Sequence, residues 1–179
     1  VERVKTQPKA VTLADKWILT ELNKLIEKST KDLETYKFSA VGEAVYEFTW
    51  DKLADWYVEI SKLPGQKSKN TDQILLYVLE QVLKLWHPFT PFVTETIWKK
   101  LDSKSMLMIQ DWPEVKKAES VSGVKNFKIL QEVITAIRSL KKESKTPYTK
   151  DVQVSAVLRS NKYAQLLNEQ AEIIKGLGR

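Results

Sequence analysis

The longest amphipathic pattern in the chain lies between Tyr36 and Lys62. Apolar residues recur there at spacings of four, three, four and three, which is the period of one α-helical face. The face comprises Tyr46, Trp50, Leu53, Tyr57 and Ile60, with Val41, Val45, Phe48 and Trp56 beside it. A helix with so broad an apolar surface is normally enclosed by neighbours. We therefore predict that this stretch, from about Ser39, is the central helix of the fold.

The stretch before the central helix carries the same period. Thr12 is followed three residues later by Asp15, a pairing that favours a capping box and the start of a helix. Apolar residues then continue at helical spacing to about Tyr36. Residues 1–11 contain a proline and no packed pattern, so they are predicted to be a linker.

Two further helices are predicted after a polar, basic turn at 63–70. The first restarts at Thr71 or Asp72 and ends at Pro88. The second begins at Thr90-Pro91, since proline is favoured at the first helical position. Its predicted apolar face comprises Phe92, Val93, Ile97, Trp98 and Leu101. Four helices with short connections predict an antiparallel up-and-down bundle over residues 12–114.

The remainder of the chain is predicted to form a separate small subdomain, residues 115–179, after a charged linker. It begins with a fifth helix that ends in a basic stretch, Arg138, Lys141, Lys142, Lys145 and Lys150. Residues 152–158 alternate apolar and polar, which predicts a strand, and Asn161 precedes a sixth helix. A single strand needs a partner, so we expect the native chain to continue. The predicted fold is mainly α, a bundle followed by a truncated α/β appendage.

Composition excludes several kinds of chemistry. There is no cysteine, which excludes disulfides and cysteine-based metal sites, and the single histidine, His87, excludes histidine clusters. Only five glycines are present, with no phosphate-binding loop among them. No apolar run is long enough to span a bilayer and no signal peptide opens the chain, so a soluble intracellular protein is expected. A net charge of +6 favours polyanionic partners such as nucleic acid, although a lysine-rich surface alone also explains it.

Two polar features of the helices have structural interpretations. His87 lies at a helix end before proline, where a structural role is favoured over catalysis. The central helix also carries an acidic row with a spacing of four, Glu43, Glu47, Asp51, Asp55 and Glu59. Like charges at this spacing repel one another, so we expect lysines of neighbouring helices to compensate them. The row would also repel a phosphate backbone.

The end of the central helix is the candidate binding site. Val58, Glu59, Ser61 and Lys62 lie there, followed by the basic turn. In an up-and-down bundle this end sits beside the start of the first helix, which supplies Lys16, Trp17 and Thr20. Basic residues with an aromatic ring suit single-stranded RNA, whose bases stack on rings. A carboxylate such as Glu59 can accept a hydrogen bond from the exocyclic amine of a base. A tryptophan at the position of Trp17 is more often a core residue than a stacking platform, but we include Trp17 among the candidate contacts.

Several segments in this order and spacing carry a family resemblance. They are LADKWILTELNKLI, YKFSAVGEAVYEFTWDKLADWYVEISK, LLYVLEQVLKLWHPFTPFVTETIWKKL and DWPE. Together they resemble the anticodon-binding domain of the class I aminoacyl-tRNA synthetases for aliphatic amino acids. DWYVEISK followed by HPFTPFVTETIW is most similar to the valine-specific members. Each segment alone is weak, but their collinear combination is specific over about residues 13–113.

The resemblance implies a domain that binds the anticodon arm of a valine-accepting tRNA at the bundle tip, which favours Val58, Ser61 and Lys62. A separate catalytic domain would attach valine with ATP and Mg²⁺. Neither of its signatures, an HIGH-like and a KMSKS-like motif, occurs here, so no catalytic, metal or cofactor residues are assigned. The parent protein is expected to be a cytoplasmic monomer without membrane contact. We expect this chain alone to bind tRNA weakly and with little discrimination.

Other interpretations remain open. One is the corresponding domain of an isoleucine- or leucine-specific enzyme. Another is a helical scaffold that docks a protein partner without contacting RNA. A free-standing enzyme is the weakest, since no constellation of residues supports it.

Overall fold

The computed structural model describes residues 6–102, 104–116, 121–144 and 163–178, with only the backbone for 121–123. The helical elements are α1 (Leu13–Glu34), α2 (Phe38–Glu47), a π-helix (Phe48–Val58), α3 (Glu59–Ser61), α4 (Lys69–Trp86), α5 (Pro91–Leu101), a 3-10 turn (Leu107–Ile109), α6 (Val121–Glu143), α7 (Ala164–Glu169) and α8 (Ala171–Leu177). The predicted mainly-α class is confirmed. The predicted strand, residues 152–158, lies outside the described ranges. Among the described helices, none combines the length and apolarity that a membrane crossing requires.

The first helix begins as its sequence predicts. The Thr12 hydroxyl oxygen accepts a hydrogen bond from the Asp15 backbone N–H at 3.1 Å. In return, the Asp15 carboxylate accepts one from the Thr12 N–H at 2.9 Å. This reciprocal pair satisfies two of the donors that every helix start leaves unpaired. The capping box fixes the start of α1 at Leu13.

The most enclosed helix is α1, not the stretch from Tyr36 to Lys62. It contacts α2, the π-helix, α4 and α6. Three consecutive residues, Trp17, Ile18 and Leu19, are all buried, so more than one face of α1 is covered. The prediction of a central helix at 36–62 is therefore wrong. That stretch contacts α1, α4 and α8, but it exposes Tyr46 and Trp50 to solvent.

The stretch 38–61 is one continuous helix whose middle is wound as a π-helix. Its buried row runs through Val45 and Phe48, steps five residues to Leu53 and continues to Tyr57. A π-helix closes its hydrogen bonds to the fifth residue rather than the fourth, which accounts for the longer step. Tyr46 and Trp50 were predicted to be buried but are 56% and 54% exposed. The regular 3.6-residue period placed them on the wrong face.

The exposure of Trp50 leads to a stability prediction. We expect Trp50→Ala to lower the free energy of unfolding by less than about 1 kcal/mol, because about half of the side chain already contacts solvent. A tryptophan in the core would cost about 3–5 kcal/mol instead. Urea unfolding followed by circular dichroism measures the difference. A loss in the core range would show that the helix keeps the regular register.

The third and fourth predicted helices are confirmed as α4 and α5. α4 is capped by Ser68, whose hydroxyl accepts a hydrogen bond from the Thr71 N–H at 3.1 Å. α5 packs on α4 through fully buried Trp98. Its predicted apolar face is only partly buried, since Phe92 and Val93 are 89% and 54% exposed. α5 is an outer helix that meets α4 on one side, so its other side stays in solvent.

The C-terminal helices share the core of the bundle. Phe127, Leu130 and Ile134 of α6 are fully buried in the cluster that α1, α2 and α4 also line, and Ile173 and Leu177 of α8 join it. Within the described residues, helices of the two parts predicted at 12–114 and 115–179 therefore share a hydrophobic core. Leu83, Trp98 and Leu107 form a second, smaller cluster.

Candidate nucleic-acid interface

We call one end of the bundle the tip. It comprises residues 58–62 and the start of α1, and a buried hydrogen bond joins these two segments. The Tyr57 hydroxyl donates to the Asp15 carboxylate at 2.6 Å and joins the end of the π-helix to the first turn of α1. Burial, together with the nearby Asp15 charge, raises the pKa of Tyr57 far above its usual value, so the phenol remains a donor. This contact brings Lys16 and Thr20 of α1 to the same end as residues 58–62.

The predicted site residues on 58–62 are partly accessible. Val58, Glu59 and Ser61 are half-buried and Lys62 is exposed. Lys62 forms an ion pair with Glu59 in which both side chains remain substantially exposed. Such a pair contributes little to stability, so the Lys62 ammonium can exchange Glu59 for another anion at small cost.

Hydroxyl groups at the tip are oriented by the helices. Ser61 donates to the Val58 carbonyl at 2.7 Å, and Thr20 donates to the Lys16 carbonyl at 2.7 Å. Because each hydroxyl has one hydrogen, both present their lone pairs as acceptors. The tip thus combines a cation, a carboxylate and hydroxyl acceptors, which are groups able to contact phosphates and base edges.

Trp17 does not lie on this surface. It is only 4% exposed, and its ring stacks on Phe127 of α6 with 4.1 Å between centroids and 17° between planes. A base cannot reach a ring face that another ring already covers. Trp17 therefore belongs to the core, and the stacking platform expected from the sequence is corrected on this point. The physical reason is that α6 packs over the start of α1.

Further lysines surround the tip from separate segments. Lys67 is exposed on the turn that leads into α4, and Lys69 is exposed at the first position of α4. Lys9 is also exposed, and its carbonyl accepts a hydrogen bond from the Asn70 side chain at 3.1 Å. The N-terminal segment therefore lies against the start of α4. Four segments of the chain bring positive charge to one end of the bundle.

Residues of the C-terminal helices also reach the tip, which the sequence analysis did not predict. The Arg138 guanidinium lies 5.3 Å from the centroid of the Trp56 ring, and its Nε donates to the Leu177 carbonyl at 2.7 Å. α8 packs on α3 and on the turn that follows it. A Cβ built on Gly176 would lie 2.4 Å from the Leu63 side chain. The glycine at this position is the sequence signal for the close approach.

Only the last member of the acidic row, Glu59, lies at the tip, and the other four are not compensated as predicted by lysines among the described residues. Glu43, Glu47, Asp51 and Asp55 are exposed, and no ion pair joins any of them to another described residue. The neighbouring lysine of the helix, Lys52, instead pairs with buried Glu21 of α1, as does Lys24. Burial raises the pKa of Glu21, but the hydrogen bonds from these two lysines outweigh burial and leave the pKa lowered.

His87 has a structural partner. Its Nδ1 lies 2.8 Å from the Thr94 hydroxyl, which in turn donates to the Thr90 carbonyl at 2.8 Å. Since that hydroxyl already donates its single hydrogen to a carbonyl, Nδ1 acts as the donor in the contact between His87 and Thr94. The pair connects the end of α4 to the first turn of α5. In the part of the chain that the structure describes, no cluster of metal-binding side chains occurs.

Comparison with known proteins places the chain in a family. Residues 15–156 match the family model described as the anticodon-binding domain of tRNA ligase. The chain belongs to this family. It is 39% identical over 171 residues to the valine–tRNA ligase of Bacillus licheniformis, 37% over 180 residues to that of Anoxybacillus flavithermus and 36% over 177 residues to that of Staphylococcus carnosus.

The matches cover most of this chain and a small part of each relative. They span 92%, 91% and 95% of the chain but only 19%, 21% and 20% of the three ligases. The chain thus spans about a fifth of the length of these relatives. Similarity of this extent to valine–tRNA ligases agrees with the resemblance found in the sequence.

Proposed function

We propose that this chain binds the anticodon arm of a valine-accepting tRNA and is part of a valine–tRNA ligase. The observation that carries the proposal is the family match at 15–156 together with valine–tRNA ligase relatives that cover nine-tenths of the chain. The ligase would attach valine to the tRNA with ATP and Mg²⁺ in a catalytic domain outside this sequence. Its expected setting is the cytoplasm, as a monomer.

The proposed contact surface is the tip. Lys62 and the lysines at 9, 67 and 69 supply positive charge for phosphates, and Lys16 extends this charge along α1. Glu59 supplies an acceptor for the exocyclic amine of a base, and Ser61 and Thr20 supply hydroxyl acceptors. Val58 offers an apolar contact between them. With Trp17 buried, we infer that bases are recognised here by hydrogen bonds rather than by stacking on that ring.

Replacement of Lys62 tests the proposal. Lys62→Ala is expected to weaken binding of a valine tRNA transcript to this chain by roughly twofold to fivefold, since one exposed charged contact contributes up to about 1 kcal/mol. The slope of log affinity against log salt should fall by about 1, the value for one lost phosphate contact. Fluorescence anisotropy at several salt concentrations measures both quantities.

The matched control is Lys37→Ala. Lys37 is exposed at the corner between α1 and α2, at the opposite end of α1 from the tip. A helix of 22 residues separates the two ends by about 33 Å. The control should leave affinity and salt slope unchanged. Equal losses of affinity for both variants would show that the effect comes only from the net charge of the chain. Binding that is absent even at low salt would favour the protein-docking scaffold, for which the uncompensated acidic row and exposed Trp50 would be the surface.

A second comparison addresses which tRNA is bound. Because this chain alone is expected to discriminate little, a valine tRNA should bind only slightly more tightly than the same tRNA with its anticodon loop replaced. Tighter binding of an isoleucine or leucine tRNA would instead favour the related isoleucine- or leucine-specific enzymes.

A further inference from the structure

We propose that α8 (Ala171–Leu177) forms a second wall of the RNA-binding tip, in which Lys175 contacts a phosphate and Glu172 weakens binding. This inference rests on the function proposed above and extends it to residues more than a hundred positions away from Lys62. The evidence is the close packing of α8 against the turn that follows α3.

Two glycines allow the close approach of α8 to the tip. Gly176 faces the Leu63 side chain so closely that a Cβ at this position would lie 2.4 Å from Cδ2 of the leucine. Gly65 is covered by Glu172, because a Cβ on Gly65 would lie 2.0 Å from Oε2 of that carboxylate. The contact therefore runs along both sides of the turn at 63–65. Leu63 follows Lys62 directly in the chain, so α8 contacts the residue next to Lys62.

The opposite side of α8 fixes its position. Ile173 and Leu177 are buried in the shared core. The Leu177 carbonyl accepts the hydrogen bond from Arg138, whose guanidinium also lies over the Trp56 ring. A cation at the C-terminal end of a helix is also favourable for the helix dipole. α8 is therefore held from the core side, and its other side is presented at the tip.

The charges that α8 presents are opposite in sign. Residues three and four apart lie on neighbouring parts of a helix face, so Lys175 flanks the face that Glu172 and Gly176 turn toward the 63–65 turn. Both Lys175 and Glu172 are exposed. No ion pair joins Lys175 to another described residue, so its ammonium can bind an incoming phosphate. Glu172 places a carboxylate directly over the turn, where a phosphate would be repelled.

Paired charge substitutions in this chain test the inference. Lys175→Ala is expected to weaken binding of the valine tRNA transcript by roughly twofold to fivefold and to lower the salt slope by about 1. Glu172→Gln, which keeps the size of the side chain, should strengthen binding by a similar factor. Lys37→Ala serves again as the control at the far end of the bundle. Circular dichroism and urea unfolding verify that the helices remain folded.

The outcomes separate this inference from the proposed function. A loss for Lys62→Ala without a change for Lys175→Ala would overturn the role of α8 and leave tRNA binding at the tip intact. Failure of the unmodified chain to bind tRNA at low salt would overturn both. Opposite changes for Lys175→Ala and Glu172→Gln, with the Lys37 control unchanged, would support α8 as the second wall. If the two substitutions change the affinity equally for a tRNA that has its anticodon loop replaced, the contact is made to backbone phosphates.

Discussion

Phe127→Ala is expected to lower the free energy of unfolding by about 3–5 kcal/mol. The Phe127 ring is fully buried between two tryptophans. It stacks on Trp17 at 4.1 Å between centroids and meets the Trp56 ring edge-on at 6.2 Å. Its removal would leave a cavity where α1, the π-helix and α6 come together, and both aromatic contacts would be lost. Urea unfolding monitored by tryptophan fluorescence measures the change and reports on this same cluster.

The matched control on the same helix is Leu140→Ala. Leu140 is 58% exposed, so its truncation should change stability by no more than about 0.5 kcal/mol. The form of the unfolding curve carries further information. A single transition that shifts as a whole in Phe127→Ala is expected from a shared core. Two separate transitions, of which only the smaller responds, would show that residues 115–179 form a subdomain of their own.

Asp15→Ala is expected to cost about 2–4 kcal/mol. The carboxylate has two structural roles, since it closes the capping box of α1 and accepts the hydrogen bond from Tyr57. Loss of a helix cap costs about 1 kcal/mol. The buried Tyr57 hydroxyl would then lack an acceptor, at a further cost of about 1–3 kcal/mol. Urea unfolding of the variant measures the sum.

A double-mutant cycle isolates the Asp15–Tyr57 contact. Tyr57→Phe removes the donor, and the double variant with Asp15→Ala should be less destabilised than the sum of the two single changes. A coupling of about 0.5–3 kcal/mol is expected for groups in direct contact. Asp55→Ala is the control on the same continuous helix, residues 38–61, because its exposed carboxylate pairs with no described residue. Strict additivity of the two single changes would mean that the hydrogen bond does not connect these helices.

The elements that the sequence predicted correctly are those set by local chemistry. Thr12 with Asp15 signals a capping box within three residues, and Thr90-Pro91 marks the start of α5 from proline alone. The errors come from interactions between distant parts of the chain. Tyr46 and Trp50 follow an ideal 3.6-residue period, but the π-helix shifts the buried row in the middle of the helix. No feature of the local sequence pattern predicts this shift of the buried row.

The candidate site likewise combines features that the local sequence predicts with features that depend on distant contacts. Residues 58–62 and the start of α1 were correctly predicted to share one end of the bundle, because antiparallel neighbours place those ends together. The sequence offered a core position for Trp17 but could not identify the residue that covers it, since Phe127 is 110 positions away along the chain (127 − 17). The contact of Gly176 with Leu63 is similarly remote. Whether residues 58–62 contact RNA remains a prediction for the binding experiments.

The uncompensated acidic row has a consequence for the rate of association. Four carboxylates that pair with no described residue, Glu43, Glu47, Asp51 and Asp55, lie along one flank, whereas exposed lysines gather at the tip. A surface divided in this way generates a field that repels a polyanion from the flank and attracts it toward the tip before any contact forms. Partners are thereby oriented during diffusion, and the association rate constant decreases as salt shortens the range of the field. The flank and the tip together select the direction of approach.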